Sequence, residues 1–193
     1  MSARRYRLQP SNTFAAIIVY NDDRKLLSRM GHDHVVRAHE FTSTIAIDPD
    51  QPEGVGFSLD FPVHSLAVDD EEDRRRVDLD GPVSERDRSK TRENMLGKDQ
   101  LFADRHSTIK FRIAGAEVDT PGQWILDASL TVRGERFDFP FPVSIELSPH
   151  LLVSGRTDIE HRDLGIKPYR APMGTLKNRQ KLTLVVEVEA VPL

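Results

Sequence analysis

Residues 124–147 read WILDASLTVRGERFDFPFPVSIEL, and the reading of this stretch decides the fold. Its first half puts Trp124, Leu126, Ala128, Leu130 and Val132 on one side of an extended chain, with Asp127, Ser129 and Thr131 on the other. Successive side chains of a strand point to opposite faces, so this alternation marks a strand with one buried side. The second half repeats the pattern, with Phe139, Phe141, Val143, Ile145 and Leu147 set against Pro140, Pro142, Ser144 and Glu146. Arg133-Gly134-Glu135 between the halves is a tight hairpin signal. Pro140 and Pro142 have no N–H to give a ladder, so the second strand must meet an edge, a bulge or an irregular seam there.

The same alternation returns on both sides of the hairpin. Phe14, Ala16, Ile18 and Tyr20 share a face, as do Phe57, Leu59 and Phe61, and Ile109, Phe111 and Ile113. Leu151 and Val153 follow, then Leu182, Leu184, Val186 and Val188. The count comes to roughly eight strands, each with one apolar face. Such strands close up or pair with a second sheet, because open edges invite aggregation. A barrel of that size is either filled by its own side chains or holds one small ligand. Both readings of the interior stay open.

One block breaks the pattern. Residues 69–104 read DDEEDRRRVDLDGPVSERDRSKTRENMLGKDQLFAD, densely charged and without alternation. Ser84 suits a helix N-cap, with Asp87 three residues on, and Met95, Leu96, Leu101 and Phe102 offer apolar contacts. The expectation is two short helices inserted between two halves of a β-structure. The charge run at 69–76 reads as a solvated helix or loop. A surface that docks a protein partner is the competing use for this insertion.

Composition narrows the function classes. A chain of 193 residues fits a single domain over 1–193 with a real core. Apolar residues make up 38% and charged residues 30%, and no window approaches the ~18 uninterrupted apolar residues of a membrane span. The first residues, MSARRYRLQPSNTF, lack the apolar segment of a secretory signal. A cytoplasmic location is therefore expected, or a periplasmic one if a signal has been removed. No cysteine is present, which excludes disulfides, thiolate ligands and cysteine nucleophiles. A net charge of −4, with no basic face legible, gives no general attraction to nucleic acid.

The histidines carry the remaining chemistry. Residues 30–41, MGHDHVVRAHEF, hold His32, His34 and His39. His32 and His34 project the same way from an extended chain, and such a pair can grip Zn²⁺, Cu²⁺ or Ni²⁺ when a further ligand joins it. His39, His64 and His106 are the candidates for that ligand. Register decides which way the pair faces. An unbroken strand with Phe41, Ser43, Ile45 and Ile47 inward sends His32 and His34 outward, whereas a bulge near Ala38 carries them inward. His32 and Asp33 are neighbours on opposite faces, and no G-x-S-x-G or phosphate-cradling glycine loop occurs, so Ser-His-Asp hydrolysis has little support. His161-Arg162-Asp163 lacks every other kinase part and reads as a turn. Beyond it, Lys167, Tyr169 and Arg170 either ring an opening and meet an anionic head group, or form a solvated loop anchored by Tyr169.

Four segments in order carry a family resemblance: FTSTIAID at 41–48, LFADRHSTIKF at 101–111, ASLTVRGERFDFPFPV at 128–143 and HRDLGIKPY at 161–169. In that order they resemble the signature segments of the YceI-like family, the lipocalin-like polyisoprenoid-binding proteins. The resemblance covers nearly the whole chain. It departs at Ser43, where the family has glycine, at His106-Ser107, where it has Tyr-Pro, and at Gly31-His32-Asp33-His34, where it has His-Leu-Gly.

The resemblance implies a mainly β fold, an eight-stranded antiparallel lipocalin-like barrel with a short helical insertion at about 69–104. It also implies a long apolar cavity for an isoprenoid or similar amphiphile. The leading expectation is then a non-catalytic binding protein with no cofactor. Its wall would be built by Phe14, Ile18, Phe41, Phe57, Phe111, Trp124, Phe139 and Phe141. The expected partners are an apolar or amphiphilic small molecule and, should the chain self-associate, a second copy in a homodimer. The alternative is a metal-binding protein or metal-dependent enzyme using His32 and His34.

Overall fold

The computed structural model describes residues 3–22, 31–48, 50–147, 149–171 and 176–193. Its central hairpin joins β8 (Gln123–Val132) to β9 (Glu135–Glu146), paired antiparallel from Gln123↔Ser144 to Val132↔Glu135. Arg133 and Gly134 both take positive φ, 54° and 84°, which matches the turn's twist to that of its strands. From β8 the sheet grows through β7 (Thr108–Thr120) to β5 (Phe57–Pro62). From β9 it grows through β10 (Leu151–Glu160), β11 (Asn178–Ala190), β2 (Thr13–Asn21) and β3 (His34–Arg37) to β6 (Ala67–Val68). A separate ribbon pairs β1 (Arg4–Leu8) with β4 (Ser43–Ile47).

The described residues thus form a nine-stranded sheet and a two-stranded ribbon, where the sequence suggested roughly eight strands. The additional strands are β1, β3 and β6, of 5, 4 and 2 residues. Segments that short give alternation too few positions to register.

The sheet curls until its two edges, β5 and β6, are successive pieces of chain. Only residues 63–66 separate them, a span of roughly 18 Å at full extension, and a 3-10 turn at Val63–Ser65 shortens it. No ladder joins these edges among the described residues. The ribbon lies against β5 instead, and Ser43 Oγ donates to the Ser58 carbonyl at 3.0 Å. The seam is closed by packing and a side-chain hydrogen bond.

The prolines act as the sequence requires. The β9–β10 ladder runs from Leu152↔Glu146 to Gly155↔Val143 and stops before Pro142, while β10 continues on β11 to Glu160. Gly155 permits the close crossing at that point. A Cβ there would sit 2.6 Å from Val143 Cγ1 and 2.8 Å from Phe141 Cζ. A 3-10 turn, His161–Leu164, packs beyond the crossing with Leu164 buried.

The insertion contains α1 (Glu71–Arg76) and α2 (Glu85–Leu96), with Ser84 Oγ accepting from the Asp87 N–H at 3.2 Å. The charge run is solvated on one side only, with Glu71, Glu72, Arg75 and Arg76 exposed. Asp73 and Arg74 are 3% and 2% exposed. α1 is fastened to β3, where Arg37 Nη1 donates to Asp73 Oδ1 at 2.9 Å. Beneath it Phe14, Ile18, Val35, Val77 and Val185 form a second core on the outer side of the sheet. Arg76 stands over the Phe14 ring, 4.7 Å from its centroid. Strand β2 is apolar on both faces, so it serves both this outer core and the interior. Among the described residues no helix is long and apolar enough to cross a membrane.

Candidate ligand cavity

The inner faces of the strands enclose a cavity of about 890 Å³. That is near the top of the ~300–1,000 Å³ range of small-molecule pockets. Its two ends differ in chemistry. At one end the ribbon contributes Leu8, Ile45 and Ile47, next to Trp124, Leu151 and Val188. At the other, where β2 ends and β3 and β11 begin, the lining turns polar with Asn21, His32, His34, Tyr169 and Asn178. α2 borders this polar end through Asp87, Lys90, Thr91, Asn94 and Met95. These positions fall at i, i+3, i+4, i+7 and i+8, a single helix face. No residue of α2 is fully buried, so the helix rims the opening rather than plugging it.

Four of the expected wall residues, Phe57, Phe111, Trp124 and Phe141, line the cavity. Phe41 and Phe139 belong to the same core without lining it. Phe41 meets Phe61 edge-on with centroids 5.6 Å apart, and Phe139 stacks on Phe137 at 5.3 Å. Phe14 and Ile18 are a correction, since both point into the outer core under α1. The cavity face of β2 is the opposite one, with Ala15, Ile17 and Val19. TFAAIIVYN offers two apolar faces, and choosing the bulkier one puts the strand in the wrong sense. Of the α2 face only Met95 was anticipated, because the rest of the helix is polar and gives no amphipathic signal.

The register question is answered by a break. β3 ends at Arg37 and β4 starts at Ser43, and the irregular residues between them reverse the parity. His34 and Val36 therefore face the cavity, whereas Val35 enters the outer core. Met30, at the start of the quoted dodecamer, lies outside the described residues. His32 is exposed at the rim. His39 points elsewhere, 4.0 Å from Asp70. Among the described residues no group of three or more His, Cys, Asp or Glu side chains converges as metal ligands. Among the described residues the His32/His34 pair finds no third ligand of the kind the metal reading requires.

His34 is instead tied to an acid that the sequence did not suggest. Its Nδ1 lies 2.6 Å from Asp69 Oδ2. Asp69 is 2% exposed, and its Oδ1 accepts from the Val35 N–H and from Arg74 Nη1, both at 2.9 Å. Arg74 also donates to the carbonyls of Asp33, Asp80 and Gly81 at 2.7–2.8 Å. Burial pushes the Asp69 carboxyl up, but the bonds from His34, Val35 and Arg74 outweigh it and hold the group below its ordinary 3.8. Asp69 also has φ 54°, a left-handed conformation that aspartate tolerates better than most residues. Thirty-five positions separate His34 from Asp69, so no local motif announces the pair.

A second histidine, His161, also reaches the cavity lining and is 4% exposed. Its Nδ1 is 3.0 Å from the Gln180 carbonyl. Burial pushes its pKa below the ordinary 6.5, against the opposing pull of backbone bonds to Gln180 and Arg179. Tyr169 lines the polar end, while Lys167 and Arg170 do not.

Residues 6–190 match the sequence profile of the YceI-like domain. The chain belongs to the YceI-like family. The four segments of the resemblance form the ribbon strand β4, the approach to β7, the β8–β9 hairpin, and the turn and loop that lead to the cavity's polar end. Solved structures share the YceI-like fold at low identity. BcnA from Burkholderia cenocepacia superposes with a TM-score of 0.66 at 10% identity, over 93% of this chain and 96% of its own. The YceI protein of Campylobacter jejuni gives 0.58 at 14% identity, over 81% and 83%. A polyisoprenoid-binding domain from Saccharophagus degradans, implicated in plant cell wall breakdown, gives 0.56 at 10% identity, over 99% of both chains. No curated protein matches the chain.

Proposed function

We propose that this YceI-like protein binds and carries a long apolar or amphiphilic molecule, isoprenoid or lipid-like, in its barrel cavity without catalysing a reaction on it. The observation that carries this reading is the cavity's polarity along its axis. Leu8, Ile47 and Trp124 line one end, while His34, Asn178 and the polar face of α2 line the other. An amphiphile has the same division along its length.

Each 100 Å² of apolar ligand surface removed from water contributes ~2.5 kcal/mol before costs. Association costs on the order of 4–15 kcal/mol, so several hundred Å² must be covered before binding is net favourable. A cavity of about 890 Å³ has room for a ligand of that size. The ligand class named for the Saccharophagus degradans domain agrees with this reading.

The test is organic extraction with mass spectrometry on untagged protein, with metal analysis of the same sample. A long-chain lipid recovered at near-stoichiometric level is the expected result. Failure both to yield a lipid and to bind a fluorescent long-chain probe would overturn the reading. Stoichiometric zinc, copper or nickel that disappears in His34→Ala would replace it with metal binding.

A further inference from the structure

We infer that His34 is the cavity's head-group acceptor, and that its Nε2 takes a hydrogen bond from the terminal hydroxyl of an alcohol- or phenol-ended ligand. This rests on the carrier reading and adds the chemistry of the ligand's polar end.

The argument starts from the tautomer. Asp69 is a buried carboxylate with its pKa held low, so both oxygens call for donors. Oδ1 receives the Val35 N–H and Arg74, and Oδ2 receives His34 Nδ1. With the proton on Nδ1, Nε2 is the ring nitrogen left without a protein partner, and in the neutral tautomer it carries the lone pair. No hydrogen bond to Nε2 occurs among the described residues. The ring lines the cavity and its side chain is 18% exposed. An outward-facing acceptor is therefore left at the end of the cavity where a polar terminus would lie.

The acceptor is also held in place. Asp69 is fixed by Arg74, and Arg74 is fixed by three backbone carbonyls, those of Asp80 and Gly81 in the insertion and of Asp33 just before β3. A ligating ring oriented by a buried carboxylate loses little freedom on binding, in the way outer-shell partners orient metal-bound histidines. Lys90 and Asn94 of the rim sit on a helix with no buried residue and have no such support among the described residues. A carboxylate or phosphate head presents only acceptors, which a lone pair does not satisfy. A hydroxyl presents the donor that is missing.

Titrations with geranylgeraniol, its methyl ether and geranylgeranoic acid at one pH test the inference. They differ in head group and share a tail. Wild-type protein is expected to bind the alcohol about tenfold tighter than the ether, the worth of one neutral hydrogen bond. His34→Leu is expected to remove that preference. Long-range ¹H–¹⁵N spectra of the wild type provide a readout independent of any variant's folding. They should show Nε2 as the unprotonated nitrogen, shifted by the alcohol and not by the ether. Equal affinities for alcohol and ether, preference for the acid, or a proton on Nε2 in the free protein would overturn the inference and leave the carrier reading standing. Failure of all three probes to bind would remove both.

Discussion

Replacing Asp69 with alanine is the perturbation whose outcome the structure fixes most tightly. The carboxylate accepts three hydrogen bonds, and the guanidinium among its partners, that of Arg74, is itself 2% exposed. Removing one member of a buried ion pair leaves the other charge uncompensated, a cost of about 3–5 kcal/mol. The backbone adds to this, because φ at residue 69 is 54° and alanine in that region costs about 1 kcal/mol. The expected loss for Asp69→Ala is therefore about 4 kcal/mol or more, a large share of the ~5–15 kcal/mol that keeps a domain folded. Asp69→Asn keeps an acceptor for the Val35 N–H and tolerates the left-handed backbone, so about 2 kcal/mol is expected from the lost charge alone. Urea unfolding at neutral pH reads both values, through a shifted midpoint with an unchanged slope. The sign with pH follows from the lowered pKa of Asp69. Its contribution is present above the ordinary 3.8 and is lost as pH falls through the lower folded value. Asp69→Asn should therefore flatten the acid limb of the stability curve. A loss for Asp69→Ala within about 0.5 kcal/mol, the range of surface changes, would refute the buried network.

Further expectations concern the cavity wall and its surroundings. Phe14→Ala should cost about 3–5 kcal/mol in denaturant unfolding yet leave ligand affinity unchanged, because Phe14 packs under α1 outside the cavity. Leu184→Trp should do the reverse in a probe-binding assay, abolishing affinity by filling space that Leu184 lines. Gly155→Ala should cost about 1–3 kcal/mol and weaken binding as well, since the new methyl strikes Phe141 on the wall; thermal and binding shifts that fail to move together would contradict this. His161 has a folded pKa below 6.5, so the unfolded chain binds the extra proton between the two values. Stability should rise with pH through that window and fall as pH drops through it, and His161→Gln should remove that slope from urea midpoints taken between pH 5 and 8.

The β-architecture was legible because its longer strands bury one face each. The β8–β9 hairpin announced its strands, its turn and the seam imposed by its prolines. Strands served by two cores were less legible. β2 carries Phe14 and Ile18 on one side and Ala15 and Ile17 on the other, and nothing local says which side meets the insertion. The same limit hid the nature of 69–76. Charge density suggests solvation, and only tertiary pairing with Arg37, His34 and Val35 turns Asp69, Asp73 and Arg74 into buried residues. For the histidines, the sequence posed the right alternative, a parity reversal near Ala38, without the means to choose. The partner that gives His34 its chemistry came from another element of the fold.

The unladdered seam between β5 and β6 has a mechanical corollary. In a barrel laddered all the way round, circumference is set by strand number and stagger, and a fatter guest can enter only by rupturing main-chain hydrogen bonds. Here the hoop is interrupted, and residues 63–66 tie its ends together like a short strap. Girth can then adjust by small sliding between the ribbon and β5, at the expense of contacts such as that of Ser43 with Ser58. On the carrier reading proposed above, a container built this way would accommodate tails of differing thickness and leave discrimination among guests to the fixed groups at its polar end.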